Sequence, residues 1–145
     1  MRVVADTNTL VSAYLWSGRP AEIIELHVCG WIELCTCPEQ LVEFAQVLQR
    51  PKFSRRLTAG GLSPAAIVGH YQQLATPVIP TAVSAPTLTD PDDLWVLGCA
   101  VSAQAKAIVS GDSHLLSLHN FQGIPLYPAS EFVAFYDWAK SQPPP

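Results

Sequence analysis

Three carboxylates, Asp90, Asp92 and Asp93, fall within four residues of the stretch "TDPDDLWVLGCA", at the head of an apolar run. An Asp at a helix start accepts hydrogen bonds from orphan backbone N–H groups and suits the positive end of the helix dipole. One Asp suffices for that, so three invite a second explanation. Crowded acids repel one another and raise one another's pKa values. A hard divalent cation such as Mg²⁺ or Mn²⁺ relieves that repulsion through oxygen ligands. It can also lower the pKa of a bound water and stabilise charge on a phosphate. Hydrolysis of a phosphodiester by water is the chemistry such acids would serve.

Positioning them is a matter of alternating strands and helices. The apolar runs "RVVA", "WIELCTC", "AIVS" and "IPLY" read as strands. Between them, helical spacing runs through "LVSAYL", "AEIIELHVC" with Gly30 as its stop, and "PEQLVEFAQVLQR", where Pro38 suits the first turn. Ser63 and Pro64 start another helix, "AAIVGHYQQLA", and a Pro-rich connection from Pro77 to Pro86 includes a short extended piece. The acidic cap then opens a helix through Gln104, and "ASEFVAFYDWAK" reads as a terminal helix. Strands separated by helices imply βαβ units and a parallel sheet, with ligands outside the carboxyl ends of the strands. Asp6 follows "RVVA" and Asp112 follows "AIVS", so both fall at that edge. The acidic trio joins them only if the chain before its helix passes close by.

A length of 145 residues suggests one domain, spanning 1–140, with 141–145 ("SQPPP") as a disordered Pro-rich tail. The 49% hydrophobic and 14% charged content excludes intrinsic disorder for the rest. No apolar run approaches the ~20 residues that span a bilayer. The start "MRVVADTN" lacks the pattern of a signal peptide, so the expected location is cytoplasmic, with no membrane partner. Cys35 and Cys37, two apart on a strand, share one face and read as buried free thiols, because no second ligand pair at zinc-finger spacing accompanies them.

A strand ending D-x-N (Asp6, Asn8), a mid-chain helical Glu43, D-x-D-D (Asp90, Asp92, Asp93) and Ser110-Gly111-Asp112 together resemble the PIN-domain family. The likeness is strongest to the VapC-like toxins of bacterial toxin–antitoxin pairs, and it runs from Arg2 to about Tyr136. The resemblance implies a three-layer α/β/α fold with a central parallel sheet. It implies a Mg²⁺- or Mn²⁺-dependent endoribonuclease whose catalytic and metal-binding acids are Asp6, Glu43, Asp93 and Asp112. Asn8, Ser110 and Asp90 are expected to support them or contact substrate, with Asp92 left as cap and surface. An RNA substrate, a cognate antitoxin and a homodimer are the implied partners. Two positions depart from the pattern: His114 stands where many relatives carry another acid, and Cys37 where a Ser commonly caps the Glu-bearing helix.

The formal charge is −4, which four metal-binding acids would account for by themselves. A polyanionic substrate also needs cations. Four of the eight basic residues, Arg50, Lys52, Arg55 and Arg56, cluster in "RPKFSRR", either a phosphate grip or a solvated loop. Two other functions compete. A haloacid-dehalogenase-type phosphatase would want an acid at Asn8 and a lysine near the late acids, whereas Lys106 precedes them. A non-catalytic PIN-like binding module would not need all four acids.

Overall fold

The first strand shows how the layers arise. In the computed structural model, which describes Met1–Pro145, β1 (Arg2–Ala5) is buried on both faces. Val3 and Ala5 enter one apolar core and Val4 the other, as the strand's two-residue alternation requires. The same split recurs in β4 (Ala107–Val109): Ala107 and Val109 join the first core and Ile108 the second. In β2 (Glu33–Thr36), Leu34 faces the first core, while Cys35 faces the second together with Cys37 and Cys99. All three of these cysteines are buried free thiols, and Cys29 is an exposed one.

The larger core is roofed by α1 (Thr7–Leu15), α2 (Arg19–Val28), α3 (Pro38–Leu48), α4 (Pro51–Ala59), α5 (Pro64–Leu74) and α8 (Ala129–Ala134). The smaller is covered by α6 (Pro91–Ala103) and α7 (Ser113–Leu116). The result is the expected three-layer α/β/α arrangement.

β3 (Thr76–Pro77), β5 (Asn120–Phe121) and β6 (Ile124–Tyr127) complete a six-stranded sheet in the order β3-β2-β1-β4-β6-β5. Every pairing is parallel except β5 with β6, which closes one edge as an antiparallel turn-back. The chain winds outward from β1 to β2 and β3, then returns to place β4 on β1's other side, with Ala5 opposite Val109. That reversal is a topological switch point, where the loops after two neighbouring strands part and leave a crevice.

Two segments differ from the sequence reading. "PKFSRRLTA" is the helix α4, started by Pro51, with Phe53 and Leu57 packed on the core at helical spacing. The terminal helix stops at Ala134 and resumes as a 3₁₀ turn over Asp137–Ser141. Its aromatic residues have middling helix propensity and are held instead by tertiary contacts. Trp138 packs edge-on to Trp31 at 5.1 Å, and Arg19 pairs with Asp137 at 2.9 Å. No helix is long and apolar enough to cross a membrane.

Candidate active site

The crevice at the switch point collects acids from four separate places in the chain. Asp6 stands where β1 becomes α1 and is only 4% exposed. It is fixed at both oxygens: Thr9 N–H donates to Oδ1 at 2.9 Å and the Ser110 hydroxyl to Oδ2 at 2.5 Å. Ser110, fully buried at the end of β4, also accepts from the Asp112 backbone N–H at 2.9 Å. One hydroxyl therefore ties the two strand ends together. Asp112 caps α7 by accepting from His114 N–H at 2.7 Å.

Ser110→Ala strips Asp6 of one hydrogen bond and orphans the Asp112 N–H, a loss of about 1–3 kcal/mol. A thermal melt should fall accordingly, and Ser110→Thr, which keeps the hydroxyl, should restore most of the loss. An unchanged melting temperature in the Ala variant would show that the bridge carries no stability.

The other acids come from helices. Asp90 caps α6, accepting from Asp92 N–H at 2.9 Å, so Asp92 and Asp93 occupy its first turn. Glu43 projects from α3, half-buried. Asp6, Glu43, Asp90, Asp92, Asp93 and Asp112 line one cleft, with Thr7 and Asn8 beside them and Arg50 as its lone cation. All four acids of the expected quartet are thus brought together, and Asn8 and Asp90 reach the same cleft. Ser110 stays behind it, acting through Asp6 and Asp112.

The sequence reading missed three wall residues. Asp92 is exposed in the first turn of α6, as expected, but it also lines the cleft, close enough to Glu43 to shift it. Arg50 was visible only as one of a basic cluster. Thr7 gave no signal, but its hydroxyl is buried without a hydrogen-bond partner. His114 is largely exposed, its Nδ1 3.4 Å from Asp112 Oδ1. Lys106 lies at the opposite sheet edge, where its N–H bonds Arg2 O at the start of β4, so no lysine serves these acids as a phosphatase of the rival type would need. Cys37 precedes α3 without a side-chain cap, so the departure noted there costs that helix a capping bond.

The electrostatics register the crowding. Burial, then the charges of Asp112, Asp90 and Asp6, push Asp93 up to about 6. Burial, then Asp92 and Asp90, push Glu43 up to about 7. Burial also raises Asp6, against the pull of its bonds to Ser110 and Thr9. No three of these groups are drawn into a preformed metal cage. The donor set is nonetheless all oxygen, which suits a hard cation that keeps several waters and takes one or two carboxylates.

A carboxylate raised in the folded state favours folding at low pH and loses that contribution as pH climbs through the folded pKa. For Asp93 this window runs from the ordinary 3.8 to about 6. Without metal, Asp93→Asn should therefore melt a few degrees above wild type at about pH 7.5, and the gain should fall to roughly half by about pH 5 and vanish only below the ordinary 3.8. His27, lowered by burial, titrates equally in both proteins and cancels in the difference. Added Mn²⁺ should raise wild type more than the variant at the higher pH. A variant that melts lower at both pH values would show Asp93 to be stabilising rather than strained.

A PIN-domain family model matches residues 2–114 of the chain. The structure also resembles the crystal structure of VapBC2 from Rickettsia felis bound to a DNA fragment from their promoter, with a TM-score of 0.59 and 12% identity. That match covers 88% of this chain and 98% of the other, a likeness of fold. No curated protein matches the sequence.

Proposed function

Because this chain belongs to the PIN-domain family, we propose that its acidic cleft is the active site of a Mg²⁺- or Mn²⁺-dependent ribonuclease, the toxin of a toxin–antitoxin pair. The observation that carries the reading is the convergence of Asp6, Glu43, Asp93 and Asp112 on one cleft at the switch point, with no carboxylate there paired to a cation within salt-bridge distance except by exposed His114. Uncompensated charge of that kind is disfavoured unless a cation binds.

Each residue has its own part. Asp6, held rigid by two hydrogen bonds, presents its carboxylate at a fixed angle. Asp93 and Asp112 face it from α6 and from the end of β4. Glu43, pushed up to about 7 by burial and by Asp92 and Asp90, is the acid whose repulsion a bound divalent cation would relieve most. Asn8, exposed at the lip, can hydrogen-bond an incoming phosphate, and Arg50 offsets part of its charge. A divalent cation held by these acids would activate the attacking water and stabilise the phosphate in transit. A cognate antitoxin and a homodimer belong to the same reading, as does a cytoplasmic location.

Purified protein, incubated with a mixed RNA pool and Mn²⁺, should cleave it, and EDTA or Asp93→Asn should stop cleavage. Cleavage that persists in EDTA would overturn the metal-dependent reading. Protein that neither cleaves RNA nor binds Mn²⁺ in calorimetry would be a binding module on the same fold.

A further inference from the structure

Helix α4 carries Lys52, Arg55 and Arg56 and no acid, directly after Arg50. Leu57, 6% exposed, and Phe53 turn to the core, leaving all three cations outside. In a chain of formal charge −4, acids are plentiful and most cations should find one. Arg2, Arg19 and Lys140 do, with carboxylates at 2.5–3.3 Å. Arg50, Lys52, Arg55 and Arg56 make no ion pair at all. The free positive charge of the protein is thus concentrated on one short element, and that element begins at the acidic cleft, which Arg50 lines.

Aromatic rings alternate with these cations. Lys52 Nζ sits 5.0 Å from the Phe53 ring centre, and the Arg56 guanidinium 5.6 Å from that of Trp16. Trp16 is 44% exposed and packs edge-on to Phe53 at 6.0 Å. Arg56 is held in place by donating from Nε to Leu15 O at 2.5 Å, which joins the far ends of α1 and α4. Since α1 starts at Asp6 and spans nine residues, this platform stands roughly 13 Å from the cleft at 1.5 Å per residue.

Resting on the ribonuclease reading, we propose that α4 with Trp16 is the substrate track: Arg50, Lys52 and Arg55 bind successive phosphates of single-stranded RNA, and Trp16, braced by Arg56, stacks a base beyond the cleft. The acids of the cleft repel a polyanion, so attraction has to come from the surface beside them, and four of the five unpaired cations, all but Lys106, lie on α4 or at its N-cap. Cations along the backbone with an exposed ring for stacking is how single strands are gripped without sequence readout.

The test compares Lys52→Glu/Arg55→Glu and Trp16→Ala with wild type and with Lys106→Glu, which alters another unpaired cation at the opposite sheet edge. Anisotropy of a labelled single-stranded RNA oligonucleotide in EDTA, over a salt series, gives affinity, and cleavage with Mn²⁺ gives KM and kcat. The double variant should bind at least about tenfold more weakly. Its log–log salt slope should be shallower by about 1.4, the loss of two phosphate contacts at roughly 0.7 each. KM should rise more than kcat falls. Trp16→Ala should weaken binding with the salt slope unchanged, and Lys106→Glu should do neither. Binding and KM that stay at wild-type values in the double variant would overturn the track and leave α4 to a protein partner. An equal loss in Lys106→Glu would overturn it too, as a net-charge effect. Wild-type protein that neither binds nor cleaves RNA would instead remove the ribonuclease reading, and the track with it.

Discussion

Asp6→Asn should reduce Mn²⁺-dependent RNA cleavage by at least about 100-fold while leaving the protein folded. Loss of residues that merely orient a metal's ligands typically costs 10–100-fold, so loss of a ligand sets that as the floor. The substitution keeps the shape of the side chain, and the amide oxygen can still accept from Thr9 N–H and cap α1. What it removes is the negative oxygen that now accepts from Ser110 and faces Asp93. Single-turnover cleavage across a Mn²⁺ titration, with a melting curve beside it, separates the two roles. Activity within tenfold of wild type would mean that Asp6 is a helix cap and nothing more.

Gly98→Ala should cost about 2–3 kcal/mol, the upper part of the range for overpacking, and lower the melting temperature by roughly 10 °C. A Cβ at residue 98 would stand 2.3 Å from Thr81 O and 3.3 Å from Pro80 Cβ. The first of these is backbone, pinned by the Thr81 N–H to Gly98 O bond of 3.0 Å, so it cannot swing aside as a side chain would. The Pro-rich connection lies directly on α6 at this point and then leads into Asp90. Displacing it should therefore weaken Mn²⁺ binding as well as stability. Calorimetry and a thermal melt on the same preparation test both, and a melting temperature within about 2 °C of wild type would show that the connection yields freely.

The central strands were legible because a strand buried on both faces is apolar throughout, as Val3, Val4 and Ala5 are. The edge strands β3 and β5 have two residues each, too short for any period to show. Helix α4 hid its apolar pair, Phe53 and Leu57, among charges, although Pro51 ahead and Gly60-Gly61 behind were boundary signals. The last helix ends sooner than its helical spacing suggests because its rings find partners off the helix axis. In the site, strand-end acids announced themselves, since a strand's carboxyl end fixes where Asp6 and Asp112 must lie. Asp92 did not, because residues in a first turn fan around the axis and sequence does not say which one faces the cleft. That β1 and β4 would be neighbours is a long-range fact, with no local trace in either segment.

The same adjacency sets an order of events during synthesis. β1 leaves the ribosome first, yet its partner β4 lies about a hundred residues later, and Ser110 must arrive before Asp6 is locked. A nascent chain that has not reached Asp112 has no complete cleft, whatever helices it has already formed. Contacts of such sequence separation form late in folding. Whatever chemistry the acids perform is thus withheld until synthesis of the domain is well advanced, because the cleft cannot close before Ser110 and Asp112 have emerged.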